Sequence, residues 1–276
     1  TGSENFNKER RYGWFPSISG GWVPTQYDWY RNLLPFNNFL KFRASWGRVG
    51  NDRLKDENGN DIRFPYLTTL GNVSSTWGTG LAENRTGSMN LKWEVSTKTN
   101  FGIDARFFDD KVDMTVDFFH TKTTDIFQRR ANIPDEGGLS NVLPYANIGS
   151  MKSWGMDGTL AYTHTFNKDM ALTVRGNFTH AENEVIYWEQ SGVNYPYQSN
   201  SGVPYKVQRG LIALGLFKDE DDIKSSPKQT FMDNYRPGDI KYKDVNGDGK
   251  IDKDDVVPLN YSAVPFIQYG FALDWN

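Results

Sequence analysis

The chain has 276 residues, with 31 Lys and Arg against 34 Asp and Glu. Its formal net charge is −3, so no basic field argues for nucleic acid. It contains no Cys, which excludes a disulfide framework and thiolate chemistry. Mean hydropathy is −0.66 and no apolar run approaches the ~18 residues of a membrane helix, while 15% aromatic residues and 26 glycines favour a β-rich chain. The sequence opens Thr1-Gly2-Ser3 without Met or a signal peptide, and is expected to be a processed chain or a piece of a longer one.

From the N-terminus, residues 11–22 alternate Tyr12, Trp14, Pro16, Ile18, Gly20 and Trp22 on one face. Pro16 restricts that run to a strand end or bulge. Residues 23–38 read as a connection with a helical turn at 28–34. Residues 39–49 form the next strand, with Leu40, Phe42, Ala44 and Trp46 against Lys41, Arg43 and Ser45. Residues 50–90 are polar and Gly/Asn-rich and read as a loop with little regular structure.

Residues 91–124 carry the clearest pattern. Trp93, Val95, Thr97, Thr99, Phe101, Ile103, Ala105 and Phe107 alternate with Glu94, Ser96, Lys98, Asn100, Gly102, Asp104 and Arg106. This is the period of a strand with different surroundings on its two sides. A tight turn at Phe108-Asp109-Asp110-Lys111 leads into Val112, Met114, Val116 and Phe118. Pairing across it sets Phe107 opposite Val112, Ile103 opposite Val116 and Phe101 opposite Phe118, with the apolar faces on one side.

After a loop at 125–147, containing Pro134, Gly137-Gly138 and Pro144, comes a second hairpin. Trp154, Met156, Gly158, Leu160, Tyr162 and Phe166 share a face. Asn167-Lys168-Asp169 turns, and Met170, Leu172, Val174, Gly176 and Phe178 return. Gly158 falls opposite Phe178, whose ring can cover the gap. Residues 182–265 are the longest excursion. Ile267, Tyr269, Phe271, Leu273 and Trp275 make a last alternating strand.

The run from Trp93 to Phe107 exceeds both the ~5–6 residues of an ordinary soluble strand and the ~9–11 of a tilted membrane-crossing one. Short turns at one end and long loops at the other are the layout of an outer-membrane β-barrel. The expected fold is all-β: a transmembrane antiparallel β-barrel, represented by about seven long strands. Bacterial barrels have an even number of strands, at least about eight. Residues 1–276 are therefore expected to form part of a barrel wall, with residues 23–38 as a larger periplasmic link.

One motif carries metal chemistry. Asp244, Asn246 and Asp248 occupy positions 1, 3 and 5 of a calcium loop, and Gly249 the sharp turn at position 6. Lys250 offers its carbonyl at position 7, Asp252 stands at position 9 and Asp255 at position 12, with Ile251 expected to pack inward. Hard oxygens at this spacing wrap Ca²⁺ as a structural clip. Asp255 is shorter than the usual Glu. A metal-free Asx-rich turn is the plainer alternative.

The three histidines, His120, His164 and His180, read as interfacial or surface residues. Asp219-Glu220-Asp221-Asp222 reads as a solvated turn, and no carboxylate pair, nucleophile elbow or phosphate loop marks an enzyme. Trp77, Tyr187, Trp188, Tyr195, Tyr197 and Tyr205 are placed to stack on sugar rings, against the plainer roles of loop packing or a membrane-surface girdle.

Several segments resemble the barrel of SusC/RagA-type TonB-linked outer-membrane transporters. They are Arg11-Tyr12-Gly13-Trp14-Phe15-Pro16-Ser17, Leu40-Lys41-Phe42-Arg43-Ala44-Ser45-Trp46-Gly47, Gly50-Asn51-Asp52, Leu91-Lys92-Trp93-Glu94 and Asn147-Ile148-Gly149-Ser150. The strongest match is Gly238 to Asp255, followed by Pro265 to Phe271. The resemblance implies an outer-membrane location in a Gram-negative bacterium and a barrel around an N-terminal plug. It also implies a SusD-like surface lipoprotein that captures the nutrient and a TonB complex that drives release. Nothing in the chain resembles the plug, the carboxypeptidase-like extension or the TonB box, so it resembles a mid-to-late part of the barrel with its extracellular loops. The expected work is gated import of an oligosaccharide or peptide, without catalysis. The competing readings are a soluble secreted β-sandwich binding calcium and glycan, and a glycan-cleaving enzyme, which needs a carboxylate pair ~5–10 Å apart.

Overall fold

The computed structural model describes residues 1–56, 59–76, 78–133, 143–168 and 170–275. Trp77, Asp169 of the second turn and the Pro134 and Gly137-Gly138 of the 125–147 loop lie outside the described residues. The chain divides into two units, Thr1–Glu189 with Pro265–Asn276, and Gln190–Val264.

In chain order, the first unit has β1 (Ser17–Trp22), α1 (Asp28–Leu33), β2 (Asn37–Asn51), β3 (Leu54–Lys55), β4 (Asp61–Ile62), β5 (Thr69–Ser75) and β6 (Gly78–Arg85). It continues with β7 (Glu94–Phe107), β8 (Val112–Arg129), β9 (Tyr145–Asn167) and β10 (Met170–Tyr187). The second unit holds β11 (Val207–Gly210), β12 (Ala213–Leu216), α2 (Glu220–Ser225), β13 (Lys228–Gln229), β14 (Ile240–Tyr242), β15 (Lys250–Ile251) and β16 (Val257–Ser262). The chain then returns to the first unit as β17 (Ile267–Trp275).

Seven strands form one sheet in the order β1-β2-β7-β8-β9-β10-β17, with every pairing antiparallel. β1 and β17 are its edges, so the sheet is an open wall and does not close into a barrel. Its registers are those the alternation demands. Phe107 faces Val112, Ile103 faces Val116 and Phe101 faces Phe118. Gly158 faces Phe178, His164 faces Leu172 and Met156 faces His180. A one-residue slip would send every apolar side chain to the polar side, which is why the pattern fixes the register.

Strand ends differ from the sequence reading. β1 starts after Pro16, as a residue without an N–H requires, while Tyr12 makes only an isolated bridge to Gly2. β8 runs on to Arg129 through a bulge where Asp125 takes a left-handed φ of 59°. The 50–90 segment, expected to have little regular structure, holds two hairpins, β3–β4 and β5–β6. The faces of β5–β6 are mostly exposed, so no alternation announces that hairpin, and β3 and β4, at two residues each, are too short to show a period.

The buried apolar cluster of this unit lies at the long-loop end of the sheet. Phe6, Leu54, Leu91 and Trp93 form its centre, with Phe15, Ile62, Val95, Phe127 and Tyr145 against it. Phe6 and Phe15 stand 5.4 and 5.3 Å from Trp93, ring centre to ring centre. The apolar face of the sheet is different. Tyr269 is 82% and Phe271 83% exposed, and Ile18, Trp46, Phe101, Phe118, Leu160, Phe178 and Leu273 are exposed beside them. A β-sandwich would bury that face under a second sheet; among the described residues none covers it.

Candidate functional site

The polar face of the sheet carries a charged cluster that the sequence reading did not single out. Arg43 on β2 donates from Nε and Nη2 to both carboxylate oxygens of Asp104 on β7, at 2.8 and 2.9 Å. Its Nη2 also donates to Asp117 Oδ2 on β8 at 2.9 Å. The register aligns Arg43, Gly102, Asp117 and Asp157 across four strands. One fork-shaped donor thus bridges two carboxylates, a geometry Lys cannot reproduce. The signal was present in the sequence: Arg43, Asp104 and Asp117 all fall on polar positions of strands whose register is determined.

The Asp244–Asp255 loop lies within the second unit. Gly247 and Gly249 take φ of 78° and 82°, so the sharp turn is where the spacing put it. Ile251 is fully buried, as expected for position 8. It sits in β15, which pairs in parallel with β13, and its carbonyl accepts from the N–H and hydroxyl of Thr230.

The loop's oxygens are engaged with its own backbone. Asp244 accepts from the N–H of Gly247 at 2.6 Å and of Gly249 at 2.9 Å. Asn246 accepts from Asp248 N–H, and Asp248 from Lys250 N–H. Asp252 caps the following turn through Asp254 N–H. Asp255, fully buried, accepts from Val245 at 2.7 Å and from Asp252 at 2.9 Å, closing the loop from its far end. These bonds form an Asx-rich clasp within the loop. Among the described residues no three His, Cys, Asp or Glu side chains converge on a common point for a metal ion. The donor types are the hard oxygens Ca²⁺ takes, and each carboxylate oxygen that accepts one N–H keeps a second lone pair.

Neighbouring loop aromatics are held in the same unit. Tyr195 and Tyr197 stack 5.4 Å apart at 5°. The Tyr195 hydroxyl accepts from Asn246 Nδ2, and the Tyr197 hydroxyl donates to the Asp254 carbonyl at 2.6 Å. Burial, with the nearby Tyr195, Asp255, Asp254 and Asp244, pushes the Tyr197 hydroxyl above its ordinary value. These two rings pack within the loop, one of the two plainer roles expected of the loop aromatics. Tyr187 and Tyr205 are exposed. The acidic run at 219–222 begins α2: Asp219 caps Asp222 N–H at 2.8 Å. The Lys241 ammonium, then the Lys218 N–H, hold the Asp222 carboxyl below its ordinary range.

His120, His164 and His180 lie on the apolar face of the wall. His164 meets the Phe166 ring edge-on at 4.5 Å, and His180 lies 3.3 Å from Glu182.

Comparison with known proteins fits this architecture. The family model described as "TonB dependent receptor-like, beta-barrel" matches residues 1–273. TonB-dependent receptor P39 of Formosa agariphila is 31% identical over 285 residues, covering 91% of this chain and 26% of that protein. TonB-dependent receptor P26 of the same organism is 28% identical, covering 98% and 27%. TonB-dependent receptor SusC of Bacteroides thetaiotaomicron is 25% identical, covering 92% and 25%. The chain thus spans about a quarter of the length of these relatives. Among solved structures, the RagAB peptide transporter superposes with a TM-score of 0.72 at 23% identity, covering 100% of this chain and 28% of that one. The chain therefore belongs to the SusC/RagA-type TonB-dependent receptors of the Gram-negative outer membrane.

Proposed function

We propose that this chain is a barrel-wall and extracellular-loop segment of a TonB-dependent importer for oligosaccharides or peptides. The observation that carries the reading is the height of the exposed apolar face. In register, rows of side chains run from His164, Leu172 and Trp275 near the short turns to Ile18, Trp46 and Trp154 near the loops. From Trp154 to His164 along β9 is about 34 Å at ~3.4 Å per residue. A strand tilted by ~45° carries that length through about 24 Å, the ~25 Å lipid-facing band of outer-membrane barrels. Aromatic residues edge the band at both ends, as girdles at the two interfaces do.

In this reading β1 and β17 pair with further strands of the parent protein, since a lipid-exposed sheet edge leaves backbone groups unsatisfied. The polar face lines the interior, and the Gln190–Val264 unit belongs to the nutrient vestibule. RagAB is described as a peptide importer, and a peptide or an oligosaccharide is the cargo class proposed here. A SusD-like lipoprotein and the TonB complex are the proposed partners, the latter acting through other parts of the parent protein. Ca²⁺ is proposed as a structural ion of the Asp244, Asn246, Asp248, Lys250, Asp252 and Asp255 loop, supported by the spacing and donor chemistry. The importer reading is tested by fractionating the parent protein. Membrane retention with heat-modifiable migration on a detergent gel is expected, and release without detergent overturns it.

A further inference from the structure

The apolar face does not end symmetrically. At the short-turn end its last rows carry Tyr162, His164, Leu172 and Trp275, with no Lys or Arg in these rows among the described residues; Lys111 and Lys168 stand in the turns, outside the strands. At the long-loop end the row holding Trp46, Thr99, His120, Trp154 and Glu182 is followed by another on the same face. That next row reads Arg48, Thr97, Lys122, Lys152 and Glu184 on five consecutive strands.

The spacing of this row is fixed by the sheet. Lys122 and Lys152 are direct cross-strand partners, their Cβ atoms ~5 Å apart, and Arg48 stands about 10 Å from Lys122 with Thr97 between. Lys152 pairs with Glu184 at 2.9 Å and lies 5.3 Å over the Trp154 ring. Arg48 and Lys122 are exposed and make no ion pair among the described residues. Three cations against one carboxylate leave the row net positive. Like charges directly opposite one another are unfavourable unless an anion lies between them.

We propose that Arg48, Lys122 and Lys152 form a ledge that binds the phosphate of anionic lipid headgroups in the leaflet at the long-loop end. The inference rests on the barrel reading above. Continuity with the apolar band sets the height: acyl chains cover the rows up to Trp46 and Trp154, and the next row meets the headgroups. The side chains suit the task, with an Arg fork for phosphate oxygens, two ammonium point charges and a Thr hydroxyl between them. The Trp and His residues one row below occupy the interface itself.

The test uses the full-length parent protein in neutral detergent micelles. The midpoint of heat-modifiable unfolding is measured with added dioleoyl phosphatidylglycerol, dioleoyl phosphatidylcholine or inorganic phosphate. Phosphatidylglycerol is expected to raise the midpoint by about 3 °C or more over phosphatidylcholine. The R48Q/K122Q/K152Q variant is expected to lose most of that difference while keeping its midpoint in phosphatidylcholine. Lys122→Gln alone is expected to lose part of it, and Lys122→Arg to retain it. An equal phosphatidylglycerol shift in wild type and both Gln variants overturns the ledge alone. An equal shift from inorganic phosphate overturns a lipid as the occupant. A wild-type protein with no heat-modifiable form overturns the barrel reading, and the ledge with it.

Discussion

The guanidinium of Arg43 lies against the bare backbone of Gly102. A Cβ at Gly102 would come within 2.7 Å of Arg43 Cζ and 2.6 Å of Asp117 Oδ1. The glycine is required by this close approach, not by its φ. Gly102→Ala is expected to push Arg43 off its two carboxylates and destabilise the wall by about 1–3 kcal/mol. Gly176, whose hypothetical Cβ has the Gly270 carbonyl as its nearest contact at 3.9 Å, is the control: Gly176→Ala is expected to be neutral or stabilising. Midpoints of heat-modifiable unfolding for the two variants check this, and equal midpoints would remove the steric role given to Gly102.

Much of the wall was legible because a strand with unlike surroundings on its two faces writes both into the sequence. Phe101 opposite Phe118 and Gly158 opposite Phe178 follow from alternation and one turn. The Phe6 cluster was not legible, because its members come from the N-terminal segment and four separate stretches, and no local period joins Phe6 to Trp93. The β5–β6 hairpin was missed for the opposite reason: with both faces exposed, its sequence has no apolar side to declare. In the Asp244–Asp255 loop the spacing located the turn and the inward Ile251. It left open whether the carboxylates turn toward the loop's own N–H groups, as they do here, or only toward a metal.

The first short turn offers a stabilising substitution. Phe108, Asp109 and Asp110 all take left-handed φ, at 56°, 56° and 62°, and none is a glycine. Left-handed conformation costs a non-glycine residue ~1–2 kcal/mol, less for Asp than for most. Asp109 is tied to Asn38 through its N–H at 2.9 Å, whereas Asp110 reaches only an exposed Arg106 at 3.8 Å. Asp110→Gly relieves the conformational cost and loses little in exchange. It is expected to raise stability by about 0.5–1 kcal/mol, read as a higher unfolding midpoint. A lowered midpoint would show that the Arg106 pair outweighs the backbone cost.

Glu189 provides a pH-dependent clasp at the loop end of the wall. One carboxylate oxygen accepts from the N–H groups of Ala131 at 2.9 Å and Asn132 at 2.8 Å, and Arg130 Nε lies 2.9 Å from the other. Burial of Glu189 raises its carboxyl pKa, but the Asn132 and Ala131 N–H groups and Arg130 outweigh it and hold the group below its ordinary 4.5. A depressed carboxyl stabilises the fold fully above its unfolded value and loses that contribution as pH falls through the folded value. The clasp is therefore expected to be intact at pH 7 and to weaken below about pH 4.5. Glu189→Gln is expected to cost about 1–3 kcal/mol locally at pH 7. Hydrogen exchange at Ala131 and Asn132 checks it, normalised for intrinsic rates. Unchanged protection in the variant would mean that the Gln128 and Glu189 bonds hold the segment without the charge.

The acidic loop separates a metal site from a self-sufficient clasp by its response to calcium. Asp244 and Asp255 each hold two or more backbone N–H groups, so replacing either breaks the loop whether or not a metal binds. Asp248 is the better probe. It accepts one N–H, from Lys250, and its second oxygen meets only the Asn246 amide at 3.3 Å. Asp248→Asn keeps an oxygen acceptor for Lys250 and removes one negative charge. With calcium bound, the parent protein is expected to resist proteolysis between residues 243 and 256, and chelation is expected to abolish that resistance. Asp248→Asn is expected to raise the calcium needed for protection by about tenfold, since affinity in such loops follows the number of charged ligands. If chelation leaves protection unchanged in both proteins, the backbone bonds are sufficient and the loop is a metal-free Asx clasp.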